Sequence, residues 1–259
     1  MKYSGLIQYS LTGNVASIVI DRPERKNALD VSTLAELNYA LRRAQDDAAV
    51  RVVVLSGAGG SFCAGADLAA RDTPADAVEV IERHYKPVFM SVAELSKPVI
   101  GAVDGAAAGA GSALAMLCDL TVMARDAYLL FAFSNLGLIP DCGANWLLER
   151  ALGSKRAYQL AIEGGRLSAQ QCEKMGLANK VTPSGEALSV ALEWAQALSA
   201  RAPLSLSLTK TVMRRSPDST YSAVVSLEGE LQRECTSSED FREGLAAFFE
   251  RRSPVFNGR

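Results

Sequence analysis

Gly105-Ala106-Ala107-Ala108-Gly109-Ala110-Gly111-Ser112-Ala113 runs without interruption into Leu114-Ala115-Met116-Leu117-Cys118-Asp119. The first half has almost no side-chain bulk, so a ligand or another backbone can come close to the main chain. The second half is apolar and reads as a buried helix. Where they join, a helix begins with N–H groups that have no partner inside the helix. Those groups and the helix dipole favour a negative oxygen lying just beyond the helix start. The same run also reads as a tight helix–sheet contact that needs small residues only for space, and a glycine-rich run alone does not separate the two readings.

Working outward, Lys97-Pro98 begins a buried strand, Val99 to Val103, that leads straight into this run. An earlier segment repeats the arrangement. Arg51 to Ser56 is a β-branched run expected to be buried on both faces. Gly57-Ala58-Gly59-Gly60-Ser61 then turns it into Phe62-Cys63-Ala64-Gly65-Ala66-Asp67-Leu68. Two small-residue loops, each following a buried strand, suggest two backbone N–H donors converging on one oxygen, an oxyanion hole; ordinary tight turns are the alternative.

The remaining elements fit around these. Gly5 to Ser10 and Val15 to Ile20 are β-type runs around the turn Thr12-Gly13-Asn14. Asp21-Arg22-Pro23-Glu24-Arg25-Lys26-Asn27 reads as a solvated polar loop, with phosphate contact as the other option. Leu34, Leu37, Leu41 and Ala44 define an amphipathic helix, capped by Asp30 or by Thr33 with Glu36. Residues 69–94 are polar and mobile near Arg71-Asp72-Thr73-Pro74, then helical, with His84 on the helix as a packed or surface residue. Leu120 to Ala124 and Tyr128 to Phe131 are strands. Gly137 to Gly143 is a loop, followed by helices at Ala144 to Leu152 and Lys155 to Ile162. Ser168 and Gln171 form a capping box, and Asn179 to Thr182 is a last short strand. The order strand, strand, helix predicts stacked ββα units and not a doubly wound sheet. Four helices are expected over 186–199, 204–214, 218–235 and 238–250. The composition shift divides the chain into an α/β core, 1–200, and a helical subdomain, 201–259.

Over 259 residues the chain is 49% hydrophobic and 22% charged, ordinary for a globular protein with a sizeable core. A net charge of -2 gives no basic footprint for nucleic acid. Five cysteines without paired spacing and a single histidine suggest neither a disulfide framework nor a metal site. No signal-like N-terminus or membrane-spanning run is visible, so a cytoplasmic protein without a membrane partner is expected.

Several segments together carry a family likeness. Ile20-Asp21-Arg22-Pro23 with Asn27-Ala28-Leu29, Phe62 to Leu68, Lys97 through Asp119, and the tail Phe241-Arg242-Glu243-Gly244 through Phe248, Arg252-Ser253-Pro254 and Phe256 resemble the crotonase (enoyl-CoA hydratase/isomerase) superfamily. The likeness spans essentially the whole chain. It implies a crotonase-like α/β spiral of stacked ββα repeats with a helical C-terminal trimerisation subdomain. It also implies an acyl-CoA thioester substrate, no separate cofactor because coenzyme A is part of that substrate, and a homotrimer or a hexamer built as a dimer of trimers. By the same resemblance the amides of Ala66 and Ala110 would hold the thioester oxygen. Arg25, Ala28, Ala64, Asp67 and Leu68 would meet the CoA moiety, and Phe249 and Arg252 would reach CoA across a subunit boundary.

The departures from the family pattern bear on the chemistry. Hydratases of this family use two glutamates; their positions fall at Ala113 and Phe133 here, and neither can move a proton. Asp141, in Gly137-Leu138-Ile139-Pro140-Asp141-Cys142-Gly143, matches the single acid/base of certain isomerases of the family. The stretches Ala108 to Gly111 and Ala132 to Leu148 are similar to the ring-1,2-epoxyphenylacetyl-CoA isomerases of phenylacetate catabolism. The implied activity is isomerisation of an acyl-CoA by proton transfer through Asp141. A hydratase with an unassigned second group, or a non-catalytic acyl-CoA binder, is the alternative. Asp141 also stands where a helix N-cap would. Phe131, Phe133, Leu138, Ile139 and Trp146 are the apolar residues expected to raise its pKa.

Overall fold

A computed structural model describes residues 5–70 and 76–259. Arg71-Asp72-Thr73-Pro74, expected to be mobile, lies outside the described residues. β1 (Ile7–Thr12) and β2 (Val15–Ile20) form the expected hairpin. α1 (Val31–Asp46) follows; the Asp30 carboxylate accepts from the Thr33 amide at 2.7 Å, so Asp30 is its cap. Its apolar stripe, Leu34, Leu37, Leu41 and Ala44, is buried.

Beyond β3 (Val52–Gly57), residues 77–94 form one continuous helical stretch: α2 (Ala77–Val80), a π-helical turn over Ile81–Tyr85, and α3 (Lys86–Glu94). β4 (Val99–Val103), β5 (Ala106–Ala108) and α4 (Ala110–Leu117) are consecutive. β6 (Leu120–Ala124), β7 (Tyr128–Leu130), α5 (Ala144–Leu152) and α6 (Ser154–Glu163) repeat that order. β8 (Arg166–Ser168), α7 (Ala169–Met175) and β9 (Lys180–Thr182) complete the strands, and Ser168 and Gln171 make the expected reciprocal cap.

Six strands form one sheet in the order β1-β2-β3-β4-β6-β9, parallel beyond the first hairpin. β5, β7 and β8 form a second, three-stranded sheet. Each of β4 and β6 therefore delivers its successor to the other sheet, and helices follow: the ββα repeat. Val52 to Ser56 and Val99 to Val103 are buried throughout, as expected for parallel strands covered on both faces. With about 1.5–3 kcal/mol for each large aliphatic side chain buried, these two strands anchor both small-residue loops. The sequence pattern missed β5 and β8. Three residues carry no usable alternation, and only their partners across the second sheet make them strands.

α8 (Ala187–Ser199) lies on β2, β3, β4 and β6. Ala187, Ala191 and Ala195 recur every fourth residue and are fully buried, so this helix backbone sits close to the sheet. α9 (Pro203–Arg215), α10 (Tyr221–Ser237) and α11 (Glu239–Glu250) differ. Among them only Asp240 and Ala247 are buried. α9 is tied to the core by polar contacts: Asp119 accepts from Lys210 Nζ at 2.6 Å and from Arg214 at 2.8 Å. No helix among the described residues is long and apolar enough to cross a membrane.

Candidate active site

The two small-residue loops meet backbone to backbone. The Phe62 and Cys63 amides both donate to the Ala106 carbonyl, at 3.1 and 3.0 Å, and the Ala108 amide returns a bond to the Cys63 carbonyl at 2.9 Å. Two glycines permit this approach. A Cβ on Gly111 would stand 2.1 Å from the Cys63 carbonyl oxygen. One on Gly65, which has φ +89°, would stand 2.6 Å from the Ala108 oxygen and 3.3 Å from the Ala110 nitrogen. Beside this contact lie Ala66 and Ala110. Ala110 is the first residue of α4, after the cap Gly109. Neither amide donates to another group among the described residues. Both residues line a cavity of about 600 Å³.

Leu29 fixes the first loop from behind. Its amide donates to the Gly65 carbonyl at 2.7 Å, and its carbonyl accepts from the Asp67 amide at 3.0 Å, so Ala66 is held on both sides. The Tyr85 hydroxyl, on the π-helical turn, donates to the same carbonyl at 3.3 Å. Of the Asp21–Asn27 segment, expected to be a solvated loop, Pro23 to Lys26 are exposed as expected, but Arg22 and Asn27 are part of this framework. Asn27 is fully buried; its side chain accepts from the Arg22 amide at 2.8 Å and donates to the Ala58 and Ser61 carbonyls at 2.9 and 2.6 Å. Arg22 itself donates to the Ala28 carbonyl and forms ion pairs with Asp30 and Asp67, each at 3.0 Å. No local signal in the sequence separates these buried partners from those of a solvated turn between β2 and α1.

Asp141 lines the same cavity, with Phe133, Leu136 and Leu138. It is not a helix cap. Gly143 occupies the cap position of α5 with φ 79°, and no side chain caps that helix; only the Asp141 backbone carbonyl takes part, accepting from the Ala144 amide at 2.9 Å. Its Oδ1 is buried without a hydrogen-bond partner. Burial pushes this carboxyl above the ordinary range, against a smaller opposing contribution from hydrogen bonds at Cys142 and its own backbone. Of the apolar neighbours expected, Phe133 and Leu138 line the cavity. Phe131 is buried in the core, Ile139 is exposed, and Trp146 faces an adjoining apolar cavity of about 490 Å³. Ala113 is fully buried on α4.

The residues expected to meet CoA divide into groups. Ala64, Asp67 and Leu68 line the cavity, Leu68 with 76% of its surface exposed at the rim. Arg25 and Ala28 do not line it; Arg25 closes an exposed 3-10 turn, Pro23–Arg25, and Ala28 is buried beside it. Phe249 and Arg252 are not brought to the cavity of their own chain. Phe249 is exposed against Phe248, and Arg252 is held by Glu243 and Glu250. His84 is not among the lining residues. All five cysteines are free, and among the described residues no cluster of metal-ligating side chains occurs.

A two-sheet ββα spiral that brings two bare amides to one cavity defines a crotonase-type protein. Residues 10–259 match the enoyl-CoA hydratase/isomerase family model, and the chain belongs to that family. It is 40% identical over 250 residues to the 1,2-epoxyphenylacetyl-CoA isomerase of Escherichia coli K12, covering 95% of each chain. It is 32% identical to the 2,3-dehydroadipyl-CoA hydratase of the same organism, over 95% of this chain and 96% of that one. The crystal structure of an enoyl-CoA hydratase from Bacillus anthracis superposes with a TM-score of 0.94 at 31% identity, over 98% of this chain and all of the other.

Proposed function

We propose that this protein is an acyl-CoA isomerase in which Asp141 carries the proton and the Ala66 and Ala110 amides hold the thioester oxygen. One observation carries the reading: Asp141, with a buried oxygen that has no partner, shares a cavity with two unpaired amides, whereas the Asp30 and Asp67 carboxylates of that cavity are paired with Arg22. On a 3-enoyl-CoA, the Asp141 carboxylate removes a proton from the carbon between the double bond and the thioester. The electron pair moves onto the thioester oxygen, giving a dienolate whose negative charge the two N–H groups stabilise. The protonated Asp141 then returns the proton at the γ-carbon, the double bond shifts into conjugation, and the carboxylate is restored. One carboxyl suffices because the same proton is taken and given back, whereas hydration needs water activated while a proton is delivered. Alanine and phenylalanine at 113 and 133 fit the first task and not the second.

The E. coli relative at 40% identity supports ring-epoxide CoA esters as a further substrate. The relatives that are hydratases support water addition as the second reading. Absorbance of the conjugated enoyl thioester tests both. It appears when a 3-enoyl-CoA is isomerised and disappears when crotonyl-CoA is hydrated. Isomerisation that survives Asp141→Asn unchanged overturns the assignment.

Leu245, Phe248 and Phe249 expose an apolar surface on α11, which supports assembly into a homotrimer or dimer of trimers with Phe249 and Arg252 reaching a neighbour's CoA. Light scattering on the purified protein checks the stoichiometry.

A further inference from the structure

We propose that Arg22 is a positioning residue that sets the aim of the Ala66 amide. This rests on the reading of that amide as an oxyanion donor. Residues 28, 30 and 67 come from two separate loops, and the Arg22 guanidinium bonds to all three: the Ala28 carbonyl, the Asp30 carboxylate and the Asp67 carboxylate. Its side chain is only 11% exposed and that of Asp67 only 9%, so solvent screening does not dissolve this cluster as it would a surface pair. Ala28 and Asp30 flank Leu29, whose two backbone bonds fix Gly65 and Asp67 on either side of Ala66. Asp67 is thus bonded twice to the opposing loop, through its amide to Leu29 and through its carboxylate to Arg22. The peptide plane that presents the Ala66 N–H is therefore set by two parallel fastenings. One is main-chain and independent of side-chain identity; the other depends on Arg22.

A planar guanidinium suits this task. Nη1 serves the carbonyl while Nη2 serves both carboxylates, an arrangement an ammonium cannot span with fixed directions. The second loop is fastened differently: the buried Ser112 hydroxyl donates to the Ala107 carbonyl at 2.7 Å and accepts from the Leu130 amide at 3.0 Å, with no part taken by Arg22. Ala110 is held by α4 itself, whose start is fixed by the Gly109 amide bonding the Leu130 carbonyl at 2.8 Å. Loss of Arg22 would loosen one donor and leave the other in place. A misplacement of about 1 Å at a catalytic contact costs on the order of a hundredfold in rate.

The test uses full-length Arg22→Lys, Arg22→Met and Asp67→Asn, with kcat and KM for a 3-enoyl-CoA and the absorbance of a bound aryl-enoyl-CoA, 4-(dimethylamino)cinnamoyl-CoA. Polarisation of the carbonyl by both amides moves this chromophore's band to the red. Arg22→Met is expected to lower kcat about a hundredfold and Arg22→Lys about tenfold, KM moving by less than about threefold. The red shift should shrink in the same order, with Asp67→Asn between wild type and Arg22→Lys. A purely structural role would lower thermal stability but leave both the band and kcat of the folded variants at wild-type values, and that result overturns the proposal. If Arg22→Met does not fold, Arg22→Lys and Asp67→Asn carry the test alone. A wild-type protein that binds the chromophore with no red shift refutes the oxyanion reading itself, a different outcome from a wild-type shift that the Arg22 variants retain.

Discussion

Asp67 and Asp141 line the same cavity and are the same residue type, yet the fold makes them opposites. Asp67 sits against the Arg22 guanidinium and accepts from the Ala69 amide. Burial alone would raise its carboxyl, but those partners hold it below the ordinary carboxylate range. Asp141 has a buried Oδ1 with no hydrogen-bond partner, and its carboxyl is pushed up by burial. On the proposed reading, one carboxylate stays charged and holds a backbone in place, and the other, poorly solvated, is basic enough to take a proton. Two environments about one ligand-sized space set the two carboxyl groups apart.

The sharpest way to break this contrast is to replace each acid by its amide. Asp141→Asn should lower kcat for isomerisation by about a thousandfold with KM nearly unchanged, since proton-transfer groups are worth about 10² to 10⁴. Asp67→Asn should cost far less, so steady-state kinetics on the pair decides the roles. Next in size is the oxyanion donor that neither acid holds. Ala110 is the first helical residue of α4, a position where proline fits the helix and removes only the N–H. Ala110→Pro should lower kcat by about 10²- to 10³-fold while the melting temperature stays close to wild type.

The pH dependence should follow Asp141 alone. The reaction needs its carboxylate, so kcat should rise with pH through the raised pKa of the bound state and then level off. The midpoint should lie above the usual carboxylate range because burial raises the Asp141 carboxyl, and Asp67, held below that range, adds no limb there. A limb at an ordinary carboxylate pKa would remove Asp141 from the role of base. The smallest effect is on stability, and the two acids should show opposite signs. A carboxyl whose pKa is raised on folding contributes stability below its unfolded pKa that is lost as pH rises through the folded one. Asp141→Asn should therefore raise the melting temperature at neutral pH by a few degrees, about what 1 kcal/mol gives a chain of this size, and the gain should vanish in acid. A carboxyl whose pKa is lowered contributes stability above its unfolded pKa that is lost as pH falls through the folded one. Asp67→Asn should destabilise at neutral pH and approach wild type in acid. Calorimetry across pH checks both.

Much of the fold was legible because its signals are local. Val52–Ser56 and Val99–Val103 announce strands buried on both faces, and Leu34, Leu37, Leu41 and Ala44 announce a helix stripe. Gly65 and Gly111 mark the places where two backbones touch. The Arg22 and Asn27 framework was not legible, because a polar residue in a turn looks the same whether its partners are water or a loop some forty residues away. The cap or catalyst choice for Asp141 was likewise open on its own stretch.

The sequence by itself determined the ββα order, the two small-residue loops, the helical C-terminal segment and the absence of both hydratase glutamates, since each is written in side-chain size, periodicity or identity at one position. Only the tertiary structure decided that Ala66 and Ala110 face one cavity with their amides unspent and that Gly143, not Asp141, caps the helix. It also decided that Arg22 is buried between two carboxylates. Those facts depend on which distant groups share a space and how much water they lose on entering it.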